Sequence, residues 1–351
     1  MAYTTIDNPE LYFQSLAYTG QGGDNDAYTF SGDENLQPDL VWIKNRGTTN
    51  EHLMIDSVRG ALKALNSNDA TAEDSISNSL KSFNSDGFTL GANASCNANN
   101  NTYASWSWKA GTSIGSTSTS GSGTAKTYTG SVNADAGFSI INYVGNGTAG
   151  HTIPHHLAQK PDMILVKAYE DAQQWASFWA PLGATKVMRF GTTNTVSDSN
   201  TRWNDTEPTS SVFTVGNEAE CNTNNEEHIA YCFANKQGYL KVGSYIGNGN
   251  ADGTFIYTGF RPAFLIYKNT NTADDWFLHD NRRQGYNDQN ELLFADITQA
   301  ESTVDRINLF ANGFKTLDSD KGVNKSGDTY VYMAIAEAPL VNSNGVPNNA
   351  R

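Results

Sequence analysis

The sequence predicts an all-β protein built from three tandem antiparallel β-sandwich modules of the jelly-roll or lectin-like kind. Two observations carry that reading: a set of five short blocks recurs three times in one order, and the composition suits short strands joined by tight turns. The chain has 351 residues with 39 Asn and 31 Gly against only 9 Pro. Asn and Gly tolerate the positive φ of tight turns, and the 39 aromatic side chains favour strands and supply large buried areas. That aromatic content also argues against disorder.

The blocks run in order along each unit. The first is Tyr18-Thr19-Gly20, then Tyr143-Val144-Gly145-Asn146-Gly147, then Tyr245-Ile246-Gly247-Asn248-Gly249. The second places proline first and lysine six residues later around an apolar run: Pro38 to Lys44, Pro161 to Lys167, Pro262 to Lys268. Such a run reads as a strand buried on both faces, with proline at its start, where no ladder donor is needed. Eight residues beyond each lysine stand His52, Trp175 and Trp276. The third block, SDGFTLG, SSVFTVG or ANGFKTL, begins a further strand at Phe88, Phe213 or Phe314. The fourth is CNANNN, CNTNNE or VNKSGD. The fifth aligns Trp106/Tyr231/Met333 and Trp108/Phe233/Ile335 on one strand face, with Ser107/Cys232/Ala334 small between them. A helix-like pattern occurs only around residues 70–83.

Repeats of this kind divide the chain into a first module at 1–111, a second at 136–236 and a third at 237–351 with a C-terminal tail. From Pro38 to Pro161 is 123 residues and from Pro161 to Pro262 only 101. The excess falls in the Gly/Ser/Thr-rich segment 112–135, which reads as a linker. Units two and three are therefore expected to dock rigidly and unit one to be hinged. The segment Glu10-Leu11-Tyr12-Phe13-Gln14-Ser15 resembles a protease-recognition linker, but it lacks the usual Asn and runs into the first repeat, so it reads as native sequence.

The formal charge of −14 and pI near 4.8 argue against a nucleic-acid binder or a protein held on anionic lipid. The N-terminus shows no secretory signal, and no apolar run approaches the ~20 residues that span a bilayer. The three cysteines, Cys96, Cys221 and Cys232, read as buried thiols without a disulfide framework or zinc ribbon.

Candidate sites are few. His151, His155 and His156 lack usual zinc spacing and read as a turn with exposed imidazoles. Asp56 and Arg59 recur as Asp280 and Arg283, with Trp179 and Leu182 in unit two, which reads as a local salt bridge at a module surface. Trp175 and Trp276 read as packing residues, whereas Trp203, in a loop without an equivalent, and Trp179 are the candidate ligand-binding aromatics, able to stack on sugar rings. No acid recurs in all three units. Glu337 lies near a strand end and reads as solvated. No catalytic, metal or cofactor-binding residue is assigned, and the protein is expected to be non-enzymatic with no cofactor.

The strings MAYTTIDNPELYFQ, QPDLVWIKNR with DSVRGA, SDGFTLG, YASWSWKAG, GFRPAFLIYKN and APLVNSNGVPNNAR resemble a module in virion proteins of tailed phages of marine bacteria, including cyanophages. The resemblance covers nearly the whole chain and implies a tail-fibre-like or similar appendage protein. It carries no catalytic residues, and unit two departs from the pattern at Ala168 and Tyr169. The implied partners are other virion proteins and a host-surface glycan or receptor, with localisation in a virion assembled in the host cytoplasm. Fibre architecture in general implies a homo-oligomer, a trimer first. The alternatives are a capsid-surface fibre or decoration protein and, third, a glycan depolymerase with two carboxylates about 5–10 Å apart.

Overall fold

A computed structural model describes residues 2–283, 287 and 291–348. The regular structure of the described chain is nearly all β, 43% strand against 4% helix, in several antiparallel sheets. Three units follow one another, each a larger sheet packed on a three-stranded one. The larger sheets share one strand order. In unit one it runs Phe13–Thr19, Thr102–Trp108, Leu40–Asn45, Leu53–Asp56, and then to further short strands. In units two and three the corresponding quartets are Phe138–Val144, Glu227–Phe233, Met163–Ala168, Trp175–Trp179 and Leu240–Ile246, Thr329–Pro339, Phe260–Asn269, Phe277–Asp280. The tag-like segment is thus part of the fold, since Phe13 to Thr19 pair with Trp108 to Thr102.

The proline-to-lysine strands are buried along their length in units one and two, as their apolar runs predict. In unit three the strand starts earlier, and Pro262 sits at a register irregularity inside it. A bulge is where a strand tolerates a residue that cannot donate to the ladder.

Alternation explains what the two faces bury. Val41 and Ile43 point into unit one's own interior with Phe88 and Leu90, as Ile164 and Val166 do in unit two with Phe213 and Val215. The other face carries Leu40, Trp42, Trp106 and Trp108 from unit one and Met163, Leu165, Tyr231 and Phe233 from unit two. Both sets join Phe264, Ile266, Met333 and Ile335 of unit three in a single apolar cluster. The large residues of the fifth block thus face a core common to all three units, and the small ones face each sandwich interior. Phe264 shows the mixing: its ring lies 5.8 Å from Phe13, 5.6 Å from Trp106 and 5.7 Å from Trp108, all in unit one. Trp42 meets Phe190 of unit two at 5.8 Å.

A recurring lock closes each unit. Asn97, Asn222 and Asn324 are fully buried. Each side-chain oxygen accepts the backbone N–H of the residue after the first block's leading glycine: Gln21 at 2.9 Å, Asn146 at 2.8 Å and Asn248 at 2.9 Å. The preceding tyrosines, Tyr18, Tyr143 and Tyr245, donate to the carbonyls of Cys96, Cys221 and Val323. Glycine is required between them: a Cβ on Gly20, Gly145 or Gly247 would lie 2.2–2.3 Å from a backbone oxygen.

Two expectations are corrected. Residues 112–135 are not a free linker, because Thr112–Ser118 and Thr127–Asn133 form a hairpin added to unit two's larger sheet, Asn133 to Tyr128 pairing with Phe138 to Tyr143. Gly/Ser/Thr composition is equally compatible with an exposed outer strand, as Thr112–Ser118 is. Unit one is not hinged either, since it buries its Trp face in the common core. The window at 70–83 holds the strands Asp74–Ser75 and Leu80–Phe83 in place of a helix.

Candidate functional site

The three units meet at three equivalent joints, which close them into a ring. At each joint a backbone N–H of one unit donates to the carbonyl two residues past the next unit's block lysine. These pairs are Glu73 to Tyr169 at 2.7 Å, Val196 to Thr270 at 3.0 Å, and Glu301 to Arg46 at 2.8 Å. Unit one therefore bonds to two, two to three, and three back to one.

The lysines occupy the same joints. Lys44, Lys167 and Lys268 are fully buried at strand ends. Lys167 Nζ donates to Ala70 O of unit one at 2.9 Å, Lys268 Nζ to Thr193 O of unit two at 3.2 Å, and Lys44 Nζ to Ile297 O of unit three at 3.4 Å. Lys44 also meets His52 Nε2 at 2.6 Å. Burial, and secondarily the Arg283 guanidinium, brings Lys44 down to about 7. Burial brings Lys167 and Lys268 down to about 8. Above these values the folded chain binds fewer protons at the three sites than the unfolded chain, whose lysines titrate near ~10.4. The lysines' contribution to stability therefore rises with pH from about 7 and is lost as pH falls back through 8 to 7, while the buried cysteines, raised by burial, oppose it only above about 9. The urea midpoint should be higher at pH ~8.5 than at pH ~7.5, and Lys167→Met should reduce the difference; equal wild-type midpoints would contradict the assignment.

The acid–arginine pairs belong to the joints as well, which corrects their reading as surface salt bridges. Asp56 accepts from Arg59 Nε at 2.6 Å and from the Tyr231 hydroxyl of unit two at 2.8 Å. Asp280 accepts from Arg283 Nε at 2.7 Å and from Trp106 Nε1 of unit one at 3.0 Å. All four charged side chains are at most 1% exposed. The arginines reach on to Glu73 at 3.0 Å and Glu301 at 2.6 Å. At the joint of units two and three every equivalent is apolar: Trp179, Leu182 and Val196, with Met333 where the others place a hydroxyl or indole donor. A donor facing an apolar group would be buried unsatisfied, so donor and acceptor are absent together.

Trp179 is thus a joint residue and not a ligand-binding aromatic. It is 1% exposed, stacks on Trp276 of unit three at 5.6 Å, and donates to Ser177 Oγ. Trp203 is corrected in the same way: it is 2% exposed and meets Phe178 edge-on at 5.9 Å inside unit two. The short helix Asn200–Trp203, too brief to give a periodic signal, turns its ring inward. Trp175 and Trp276 pack as expected, and Trp175 Nε1 donates across the joint to Asn66 O.

The histidines also depart from the expectation of an exposed turn. His151 and His155 are fully buried; only His156 is exposed, its ring nitrogen 2.9 Å from the Tyr128 hydroxyl. His155 bonds Thr209 O and the Leu157 N–H, and burial lowers its pKa to about 4. Among the described residues no group of three His, Cys, Asp or Glu side chains is placed to hold a metal ion. The three cysteines are buried and free, as expected. Glu337 pairs with Arg261 at 3.2 Å near the end of its strand.

Sequence reasoning missed the third member of each polar joint. Glu73 and Glu301 hold one repeat position, with Val196 between them, and aligning the loops downstream of Arg59 and Arg283 would have exposed it. No curated protein and no solved structure matches the chain. A family model does match, over residues 8–339, from ahead of the first strand of unit one to the end of the last strand of unit three. The ring of three units as a whole therefore belongs to the family described as Domain of unknown function (DUF7483).

Proposed function

We propose that the chain is a non-enzymatic structural protein of a tailed-phage virion, part of a tail fibre or similar appendage, and that it binds other virion subunits as a single three-unit body. The closed ring is the observation that supports this most. Three related units spend their largest apolar faces on one another, so the chain carries an internal pseudo-threefold core. A homotrimer about that core is unnecessary, because each axial face already has two neighbours. What remains outward is loops and sheet edges, the surfaces that recognise other proteins. This favours the subunit-binding reading over glycan stacking, whose two tryptophans are buried. A groove of about 450 Å³ between unit one and the hairpin of unit two offers one carboxylate, Asp39. That carboxylate is occupied by the N–H groups of Ala110 and Gly111 and by the Ser57 hydroxyl. The groove therefore lends no support to an acid pair for glycoside hydrolysis.

Sedimentation at seawater ionic strength should give a monomer of about 38 kDa. An antibody raised against the chain should label purified phage particles. Particles without the chain would defeat the virion reading, and a stable trimer would defeat the single-body one.

A further inference from the structure

The added hairpin of unit two shows what the equivalent surface of unit three is built to receive. In unit two, Thr127–Asn133 pairs with the outer strand of the larger sheet, and the hairpin's Ser120–Gly121 pairs with Thr152 and His151 of the smaller sheet. One inserted segment covers both sheet edges on that side. Unit three has the same two edges, Leu240–Ile246 and Phe255–Tyr257, and no described strand pairs with either on its outer side.

The backbone of that edge is partly closed and partly open. Asn235 bonds both the N–H and the C=O of Val242, with its amide at 2.5 and 3.3 Å. Alternation then turns the N–H and C=O of Ser244 and the N–H of Ile246 outward, beyond the reach of that cap, while the Ile246 carbonyl accepts the Thr254 hydroxyl at 3.0 Å. On the smaller sheet, Thr254 O and Thr258 N–H pair inward with Thr316 and Asn312, so Phe255 and Tyr257 direct their backbone groups outward. The side chains here are apolar: Ile246 is 63% exposed, Phe255 46% and Tyr257 53%. They are half of the six large hydrophobics exposed among the described residues. The matching positions of unit one are Thr19 and Ala27, and those of unit two are Val144, Thr152 and Pro154. Edge groups left open beside an apolar patch are templates for strand addition.

We propose that unit three binds a β-hairpin or extended strand of another protein by antiparallel addition at Ser244–Ile246 and Phe255–Tyr257. The incoming segment would be uncharged and rich in Gly, Ser, Thr and β-branched or aromatic residues. That chemistry is the one the resident hairpin shows in TYTGSVN, where Gly130 faces Ile141 and Tyr128 faces Tyr143. A second copy of this chain is disfavoured, because two bodies of charge −14 repel. The inference goes beyond the virion reading and does not depend on it.

The probe is a synthetic peptide of residues 110–135, added to the full chain and followed by hydrogen exchange. The amides of Ser244 and Ile246 and of Phe255 and Tyr257 should exchange about tenfold more slowly in saturating peptide. Ser244→Pro removes the outward donor without touching the ladder to Thr329–Pro339, so it should fold and lose that protection. The pair Phe255→Ser and Tyr257→Ser should lose it too. Three results would overturn the proposal: no protection at saturation, protection confined to Phe138–Val144, or a dimer of the free chain that Ser244→Pro dissolves.

Discussion

Replacing Phe264 by alanine is expected to destabilise the whole chain by about 3–5 kcal/mol and to do so in a single transition. The ring is fully buried and touches Phe13, Trp42, Trp106 and Trp108 of unit one, so its loss opens a cavity at a place no one unit owns. Urea unfolding read by tryptophan fluorescence and by far-ultraviolet dichroism should show coincident curves for wild type and variant, with the variant's midpoint lowered. If unit three alone melted early, leaving the tryptophans of unit one in their native environment, the common core would not be a common core.

Asp280→Ala should cost a similar amount, about 3–5 kcal/mol, for a different reason. Its carboxylate neutralises Arg283, which is 1% exposed, and accepts the Trp106 indole across the joint of units three and one. Alanine leaves a guanidinium with Glu301 as its remaining carboxylate partner and an indole N–H with none, both out of water. Leu182→Arg in unit two should be harmful for the converse reason, because Trp179 and Val196 offer that guanidinium no carboxylate. Thermal unfolding of the two variants, each against wild type, measures both effects.

What could be read from the sequence follows from the range of each signal. Period-two alternation, set by the strand itself, is enough to place Trp106 and Trp108 on one strand face with Ser107 on the other. The repeat of blocks gave the equivalence of Lys44, Lys167 and Lys268, but not their burial. An isolated lysine after an apolar run is ordinarily solvated at a strand end, and only the neighbouring unit's carbonyl makes burial tolerable. The same holds for Asp56 and Asp280: three-residue spacing to arginine suggests an ion pair, and nothing local says that a tyrosine or tryptophan of another unit completes it. Trp203 was misread because its polar neighbours describe the chain around it and not the direction of its ring. The segment 112–135 was misread because low charge and small side chains fit both a tether and an outer strand. For the lysines and for Asp56 and Asp280 the missing information lay in a partner more than 50 residues away in the chain.

The joint of units one and three is the most informative place to test the ring, since these units are not consecutive in the chain. A double-mutant cycle on Trp106→Phe and Asp280→Ala isolates the hydrogen bond that crosses it. With the ring closed, the two substitutions should couple by about 0.5–3 kcal/mol. Additive effects, within about 0.3–0.5 kcal/mol, would mean that Trp106 and Asp280 do not meet and that unit one stands apart from unit three.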